Sequence, residues 1–572
     1  MMEKWFIMRK GAPFQEIAQK FHISPILARL IRNREITDEE EIRLYLNGTI
    51  AELHDGILMK DMDRAVEILS EKIREKKPIR VIGDYDIDGV NATYILLEGI
   101  EKLGGVVDSD IPDRMKDGYG LNQELINRAL EAGVDTIITC DNGIAAAEEI
   151  VYAKKMGMTI IVTDHHEIPY EEKNGEKVYE LPPADAVVDP KRIDCEYPFS
   201  SLCGAAVAYK LVETLFNVMG QDVEDVDYLM ENVAIATVGD VMDLVGENRI
   251  FVKQGLEMLK CTKNYGLDAL IECTGVDRAH LSAYHIGFVI GPCLNAGGRL
   301  DTAKRALELL RASSRREADM LAGDLKALND SRKEMTQAGV EEAVKMVETT
   351  ALQKDKVLVI FLPDCHESLA GIIAGRIRER YHKPVFILTK AEQGAKGSGR
   401  SIENYDMYEE MSKCKALFTK FGGHKMAAGL SLPEENIEVF RRQMNEKTVL
   451  TQEDFCEKVS IDMQMPLQYV TEELVEELEL LEPFGKGNTK PVFVEKDMLV
   501  LNSRILGKNQ NVLKMQVKDL GGTVMDAIYF GEAQECLEKI RSAGGKITAT
   551  YYPSINEFRG QKTLQIVIQN YR

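Results

Sequence analysis

IRVIGDYDIDGV, Ile79–Val90, joins a run of branched apolar residues to three alternate aspartates, Asp84, Asp86 and Asp88, and closes on Gly89. The apolar run predicts a buried strand, and the glycine lets the chain turn sharply into a helix. Related patterns follow: VDTIITC precedes Asp141, TIIVT precedes Asp164 and AVV precedes Asp189. Enough chain separates these runs to form helices, which predicts a parallel α/β sheet. Ligands of such sheets sit in the crevice beyond the carboxyl ends of the strands, so these aspartates are expected along one edge.

Working outward, residues 1–60 read as an N-terminal helical lead-in, 61–300 as the main α/β domain and 301–350 as a connecting helix. The connector, Asp301 to Val347, is rich in Ala, Leu, Glu, Arg and Lys, interrupted by Gly323 and Gly339. A smaller α/β domain is expected over 351–452, with KVLVIFL as a strand, AGIIAGRIRERY as a helix and Gly-rich loops near Gly397 and Gly422. Residues 453–572 turn to short β-type runs spaced by Gly, Asn and Asp, the pattern of a small closed or nearly closed β-barrel.

The 572 residues are 45% hydrophobic and 29% charged, which excludes disorder, collagen-like repetition and a small disulfide scaffold. No apolar run reaches the roughly eighteen residues of a membrane span. The start, MMEKWFIMRKGAP, lacks the apolar core and cleavage site of a signal peptide, so the chain is expected in the cytoplasm. Ten cysteines without a C-x-x-C pair suit reduced, mostly buried thiols. A net charge of −22 argues against nonspecific binding to polyanions but leaves room for one basic groove in an acidic shell.

Three carboxylates within five residues at a strand end repel one another unless a cation neutralises them, and hard divalent ions prefer such oxygens. The spacing also resembles part of a calcium loop, but Ile95 stands at its twelfth position and a strand replaces the helix before it. Asp141 in TCDNGI, Asp164, His165 and His166 in TDHH, and Asp240 in ATVGDVMDL extend the set. Carboxylates with one or two imidazoles suit a pair of Mn²⁺ or Mg²⁺ ions, an arrangement used for in-line phosphoryl displacement. KGSGRS (Ser398, Arg400), FGGHKMAAG (Gly423, His424), GPCLNAGGRL (Asn295, Arg299) and PDRMKDGYGLN (Arg114, Tyr119) read as four loops that together form an anion track, each by itself a turn with a solvated side chain.

GDYDIDG, CDNG, TDHH and TVGD, followed by NAGGRL, GSGRS and GGHKMAAG, resemble the ordered motifs of the DHH phosphoesterase superfamily with its DHHA1 second domain. With PFGKGNTKPVF and the β-rich end, the likeness extends to the C-terminus and to that superfamily's exonucleases for single-stranded DNA. It implies a parallel-sheet DHH domain, a connecting helix, a DHHA1 substrate-binding domain and an OB-fold for single strands. It further implies 5′ to 3′ hydrolysis of single-stranded DNA to nucleotides in recombination and repair, with two Mn²⁺ or Mg²⁺ ions. A monomer is expected, with a single-stranded-DNA-binding protein and a RecQ-type helicase as candidate partners.

Carried over by position, the resemblance makes Asp86, Asp88, His165 and Asp240 metal ligands and Asp141 the bridging carboxylate. Asp84 becomes a ligand or base, Asp164 orients His165, and His166 meets the scissile phosphate as an acid. Arg114, Asn295, Arg299, Ser398, Arg400, Gly423 and His424 would hold the strand and its 5′ phosphate. Two positions depart: Ile82 stands where some members have histidine, and Cys293 where the related GPRINAAGR pattern has arginine. Rival readings are an oligoribonuclease or cyclic-dinucleotide phosphodiesterase, a pyrophosphatase, and a noncatalytic DNA-binding scaffold. The long β-rich end favours the exonuclease and the complete acid set favours an enzyme. Tyr529, Tyr551 and Phe558 stand as base-stacking candidates or as core.

Overall fold

The structure, a computed structural model, describes residues 3–114, 117–118, 120–173, 176–558 and 560–572. Tyr119 and the side chain of Phe558 lie outside the described residues. The chain divides into two compact units, one built mainly from Pro292–Val459, the other from Trp5–Ile271, Gly275–Gly291 and Ser460–Arg572.

In the larger unit the expected parallel sheet is present, in the order Val106–Asp110, Pro78–Gly83, Thr136–Cys140, Thr159–Thr163, Ala186–Val188. The edge strand Val106–Asp110, half polar in sequence, adds to the four read from apolar runs. After Pro78–Gly83 the chain first lays a strand on one side and then the remaining three on the other. The strand order therefore reverses between Pro78–Gly83 and Thr136–Cys140, opening a crevice between the loops that carry Asp84 and Asp141. The Ile87–Lys102 helix, apolar nearly all round, packs on the equally buried Gly204–Val218 helix. Gly99 makes this contact possible, since a Cβ there would stand 2.5 Å from Val212.

The N-terminal helices Phe14–Phe21, Pro25–Asn33 and Glu39–Asn47 follow a short strand, Glu3–Ile7. Their Leu27, Leu30, Ile31, Ile42 and Leu46 share one core with Met465, Phe493, Leu513 and Tyr551 of the C-terminal region. There, Phe493–Leu506, Val512–Lys518, Val524–Phe530, Gln561–Tyr571 and Lys546–Phe558 pair in that order, and the last returns to the first, closing a ring. Tyr551 is core: fully buried, its hydroxyl donates to the Met465 carbonyl at 2.6 Å. Tyr529 packs edge-on against Tyr571 beside that core.

In the smaller unit the expected connector is two helices, Lys304–Leu310 and the 35-residue Arg315–Thr349, parted where Ser314 caps the second. Gly339 does not interrupt that helix, and a Cβ there would stand 2.6 Å from Ile373. A five-stranded sheet follows, in the order Lys420–His424, Ala427–Leu432, Ala395–Arg400, Val385–Lys390, Leu358–Phe361. Three of the four expected loops are therefore regular elements. KGSGRS and FGGHKMAAG are largely strand, and GPCLNAGGRL forms the Gly291–Leu300 helix. The strand glycines serve close packing: a Cβ on Gly397 would stand 2.3 Å from Leu388, and one on Gly399 2.4 Å from Met407.

Candidate metal centre

Asp84 leaves the Pro78–Gly83 strand and Asp86 caps the helix that follows, accepting from the backbone N–H groups of Asp88 and Gly89 at 2.9 and 3.1 Å. Gly89 lets this turn close, because a Cβ there would stand 2.5 Å from the Asp84 backbone. Asp141 follows its strand with φ 59, a left-handed conformation costly for a residue with a Cβ and held by its surroundings. Gly204 brings the Gly204–Val218 helix against it, 2.7 Å from the Asp141 Cβ at the position a Cβ would take. The first N–H groups of that helix, Gly204 and Ala205, donate to the two oxygens of Asp88 at 2.6 and 2.7 Å. Asp240 ends the Met230–Gly239 helix.

These elements converge. Potential ligand atoms of Asp84, Asp86 and Asp141 lie within 4.8 Å of one another, as do those of Asp88, His165 and Asp240, and those of Asp141, His165 and His166. The first two groups are bridged by the pair His165 Nε2 and Asp141 Oδ1, 3.0 Å apart. Burial and mutual repulsion push Asp84 up to about 8 and Asp240 up to about 7, and raise Asp88 and Asp141 well above the ordinary carboxylate range. Burial pulls His165 down to about 3, leaving it a neutral nitrogen donor at neutral pH. Asp84 Oδ1 is buried and has no hydrogen-bond partner among the described residues. A buried, mutually repelling set of oxygen and neutral nitrogen donors with an orphaned carboxylate oxygen fits divalent cations.

Asp164 plays a different part from the one expected. Its Oδ1 binds His166 Nδ1 at 2.7 Å, while His165 reaches it through its backbone N–H at 2.8 Å and Ile144 N–H takes Oδ2 at 2.9 Å. Its side chain thus aims His166, not the His165 ring. Burial alone would raise Asp164, but the His166 bond holds it below the usual range. Burial would likewise lower His166, and the same bond outweighs it, pushing that ring up to about 9. Asp189, the fourth strand-end aspartate, is buried and pushed up to about 7 by burial, but joins none of the ligand groups. Ile82 is fully buried in the core cluster of Leu121, Ile137 and Ile160 and so serves packing. Arg114 lies over the Tyr85 ring, 5.0 Å from its centroid, and its charge reaches Asp84.

In the smaller unit, Ser398 and Arg400 are alternate residues of one strand and share a face. The register sets Ala427 and then His424 across from Arg400, and Gly429 and then Gly422 across from Ser398. Gly371, at the start of the Ala370–Tyr381 helix, abuts them: a Cβ there would stand 2.8 Å from Arg400 Nη2 and 3.6 Å from Ser398 Cβ. Arg299 Nη1 donates to the Ser368 carbonyl just before that helix, at 3.1 Å. Gly423 faces the other side, where a Cβ would stand 2.6 Å from Ala428 Cα. Asn295 is half-buried on its helix. Cys293 is buried and accepts from Asn329 Nδ2 at 3.3 Å, so it offers no anion contact in place of arginine.

Sequence reasoning missed Gly204, Ala205 and Gly371. Two of these are glycines opening helices, and their small size was the available signal.

Comparison with known proteins adds the class. The DHH family, N-terminal domain, matches residues 78–237, the DHHA1 domain 354–449 and the RecJ OB domain 461–570. Fold and site thus define a DHH/DHHA1 protein with a C-terminal OB domain. The single-stranded-DNA-specific exonuclease RecJ of Bacillus subtilis is 34% identical over 574 residues, covering 99% of this chain and 70% of that protein. The protein of that name from Escherichia coli is 33% identical over 570 residues, covering 96% of each. The crystal structure of RecJ in complex with Mn²⁺ from Thermus thermophilus matches with a TM-score of 0.84 and 27% identity, covering all of this chain and 80% of that one. The chain belongs to the RecJ family.

Proposed function

We propose that this chain is a metal-dependent exonuclease specific for single-stranded DNA, working 5′ to 3′ in recombination and repair. The observation that supports this reading most strongly is the pair of ligand groups joined by Asp141 and His165 at a strand-order reversal, with an orphaned oxygen on Asp84. Asp84, Asp86 and Asp141 would hold one Mn²⁺ or Mg²⁺ ion, and Asp88, His165 and Asp240 the other. Such a pair supplies an activated water and charge neutralisation at the phosphate.

The residues do the rest. Asp164 holds His166 through Nδ1, Nε2 would carry a proton toward the departing sugar oxygen, and the elevated pKa keeps the ring protonated at neutral pH. Asp88 is fixed by the helix N–H groups, so a ligand oxygen need not reorganise during turnover. Arg114 in the larger unit would hold a phosphate, and in the smaller unit Arg299, Ser398, Arg400 and His424 would do so, with Asn295 and Gly423 as further substrate-binding residues.

No helix of the described residues is long and apolar enough to cross a membrane, in keeping with a cytoplasmic enzyme. It is taken to work as a monomer, receiving single strands from a single-stranded-DNA-binding protein or a RecQ-type helicase. The test compares 5′-labelled single-stranded DNA, duplex DNA and dinucleotides with Mn²⁺. Single strands should be degraded from the 5′ end, and equal turnover of duplex or a preference for dinucleotides would contradict the reading.

A further inference from the structure

Beside the metal centre the larger unit carries two aromatic rings that no part of the reaction above employs. Tyr284 and Phe288 are 63% and 65% exposed, yet stack on each other with centroids 4.9 Å apart and planes inclined by 29°. Large apolar side chains set side by side in solvent form a patch that favours a partner. They stand on Ala283–His285 and the π-helical turn Ile286–Ile290, a backbone form that recurs at functional sites.

The inner side of that turn packs on residues next to the acids in the chain. A Cβ on Gly287 would stand 3.5 Å from Val238, two residues before Asp240, and one on Gly291 would stand 3.0 Å from Ile87, which lies between Asp86 and Asp88. The turn therefore packs on the helix that ends in Asp240, and Gly291 just after it on the residue between two other acids, while Phe288 on the turn and Tyr284 just before it stay exposed. His285 packs edge-on to Tyr284, 5.7 Å between centroids, and is tied by Nδ1 to Ser282, which steadies the first ring.

We propose that the Tyr284–Phe288 pair is a stacking subsite for nucleobases of the strand entering the metal centre. The chemistry fits a single strand in particular: unpaired bases offer free π-faces, whereas paired bases are already stacked, and ring stacking tolerates any base. The pair thus supplies a sequence-independent preference for unpaired DNA close to the acids. This inference rests on the exonuclease reading.

The test is steady-state turnover, with Mn²⁺, of a short 5′-phosphorylated strand and of its counterpart carrying abasic sites in its first nucleotides. The full-length protein and its Tyr284→Leu/Phe288→Leu double variant are compared. Leucines keep the exposed apolar character, so the variant should melt with the parent. The parent should favour the base-containing strand about tenfold in kcat/KM, the size that one base-on-ring contact supplies. The variant should lose that preference through KM, with kcat within about twofold and the abasic strand turned over as before. Tyr284→Phe should retain the preference. A double variant that keeps the parent's preference overturns the proposal. If it also loses self-association in sedimentation, the rings belong to a protein contact instead. Failure of the parent to degrade either strand would overturn the exonuclease reading itself, a result separable from the first.

Discussion

The acid edge of the larger unit and the Ser398–Arg400 strand of the smaller unit are both assigned to phosphate chemistry, and they are built in opposite ways. At the acid edge, burial and repulsion hold Asp84, Asp88, Asp141 and Asp240 above their ordinary range, so that site is electrostatically incomplete without cations. At the strand, Arg400 Nη1 already donates to the Gly399 carbonyl and the glycines are packed, so that site is complete without its ligand. Changes at the first should therefore alter chemistry and stability together, whereas loss of a ligand-holding side chain at the second should alter binding alone.

The largest expected effect tests the first half of this contrast. Asp141→Asn should reduce turnover by at least about a thousandfold and remove tight Mn²⁺ binding in calorimetry while leaving single-strand affinity intact. It should also raise the melting temperature in chelator, because it deletes a repelled buried charge. Near-native turnover would break the assignment. His166→Ala should cost about a hundredfold or more in kcat. In the parent, activity that needs the protonated ring should fall as pH rises through about 9, and this descent should vanish in the variant.

Stability against pH sharpens the same comparison. Asp84 and Asp240 have folded pKa values, about 8 and about 7, above the ordinary 3.8. The folded protein therefore binds more protons than the unfolded chain, and its stability falls as pH rises from about 4 through those values. In chelator the melting temperature should drop between pH 6 and 8.5, and saturating Mn²⁺ should abolish most of that drop. A flat profile in chelator would remove the electrostatic incompleteness on which the comparison depends.

The second site should respond more mildly. Arg400→Ala should weaken single-strand binding about tenfold and reduce the slope of affinity against salt by about one, with Mn²⁺ affinity unchanged. The smallest effect is expected from Gly371→Ala. A helix glycine so replaced gains about 0.5–1 kcal/mol of stability, but the new Cβ meets the Arg400 guanidinium and should displace it, raising KM a few-fold. Loss of stability instead would mean that the guanidinium cannot yield.

Legibility in the sequence followed the range of the forces involved. Apolar runs ending in aspartate gave the three inner strands and the fully buried edge strand Ala186–Val188, since a strand buried on both faces must be apolar throughout. Val106–Asp110, an edge strand with alternating exposure, carried no such run. Glycines in KGSGRS and FGGHKMAAG read as loop punctuation, but tertiary packing uses them where Leu388, Met407 and Ala428 press against the backbone. The partner of the Asp164 side chain was not legible because adjacent histidines share every local signal; only the turn after the strand decides which ring it meets.

By itself, then, the sequence determined which elements would be buried and which acids and imidazoles would stand at their ends, because both follow from periodicity over a few residues. Only the tertiary structure decided that helix N–H groups from Gly204 and Ala205 would fix Asp88, that Asp141 would be held left-handed, and that His424 would fall in the same row as Arg400. Those outcomes depend on contacts between segments far apart along the chain, set by close packing and strand register rather than by local preference.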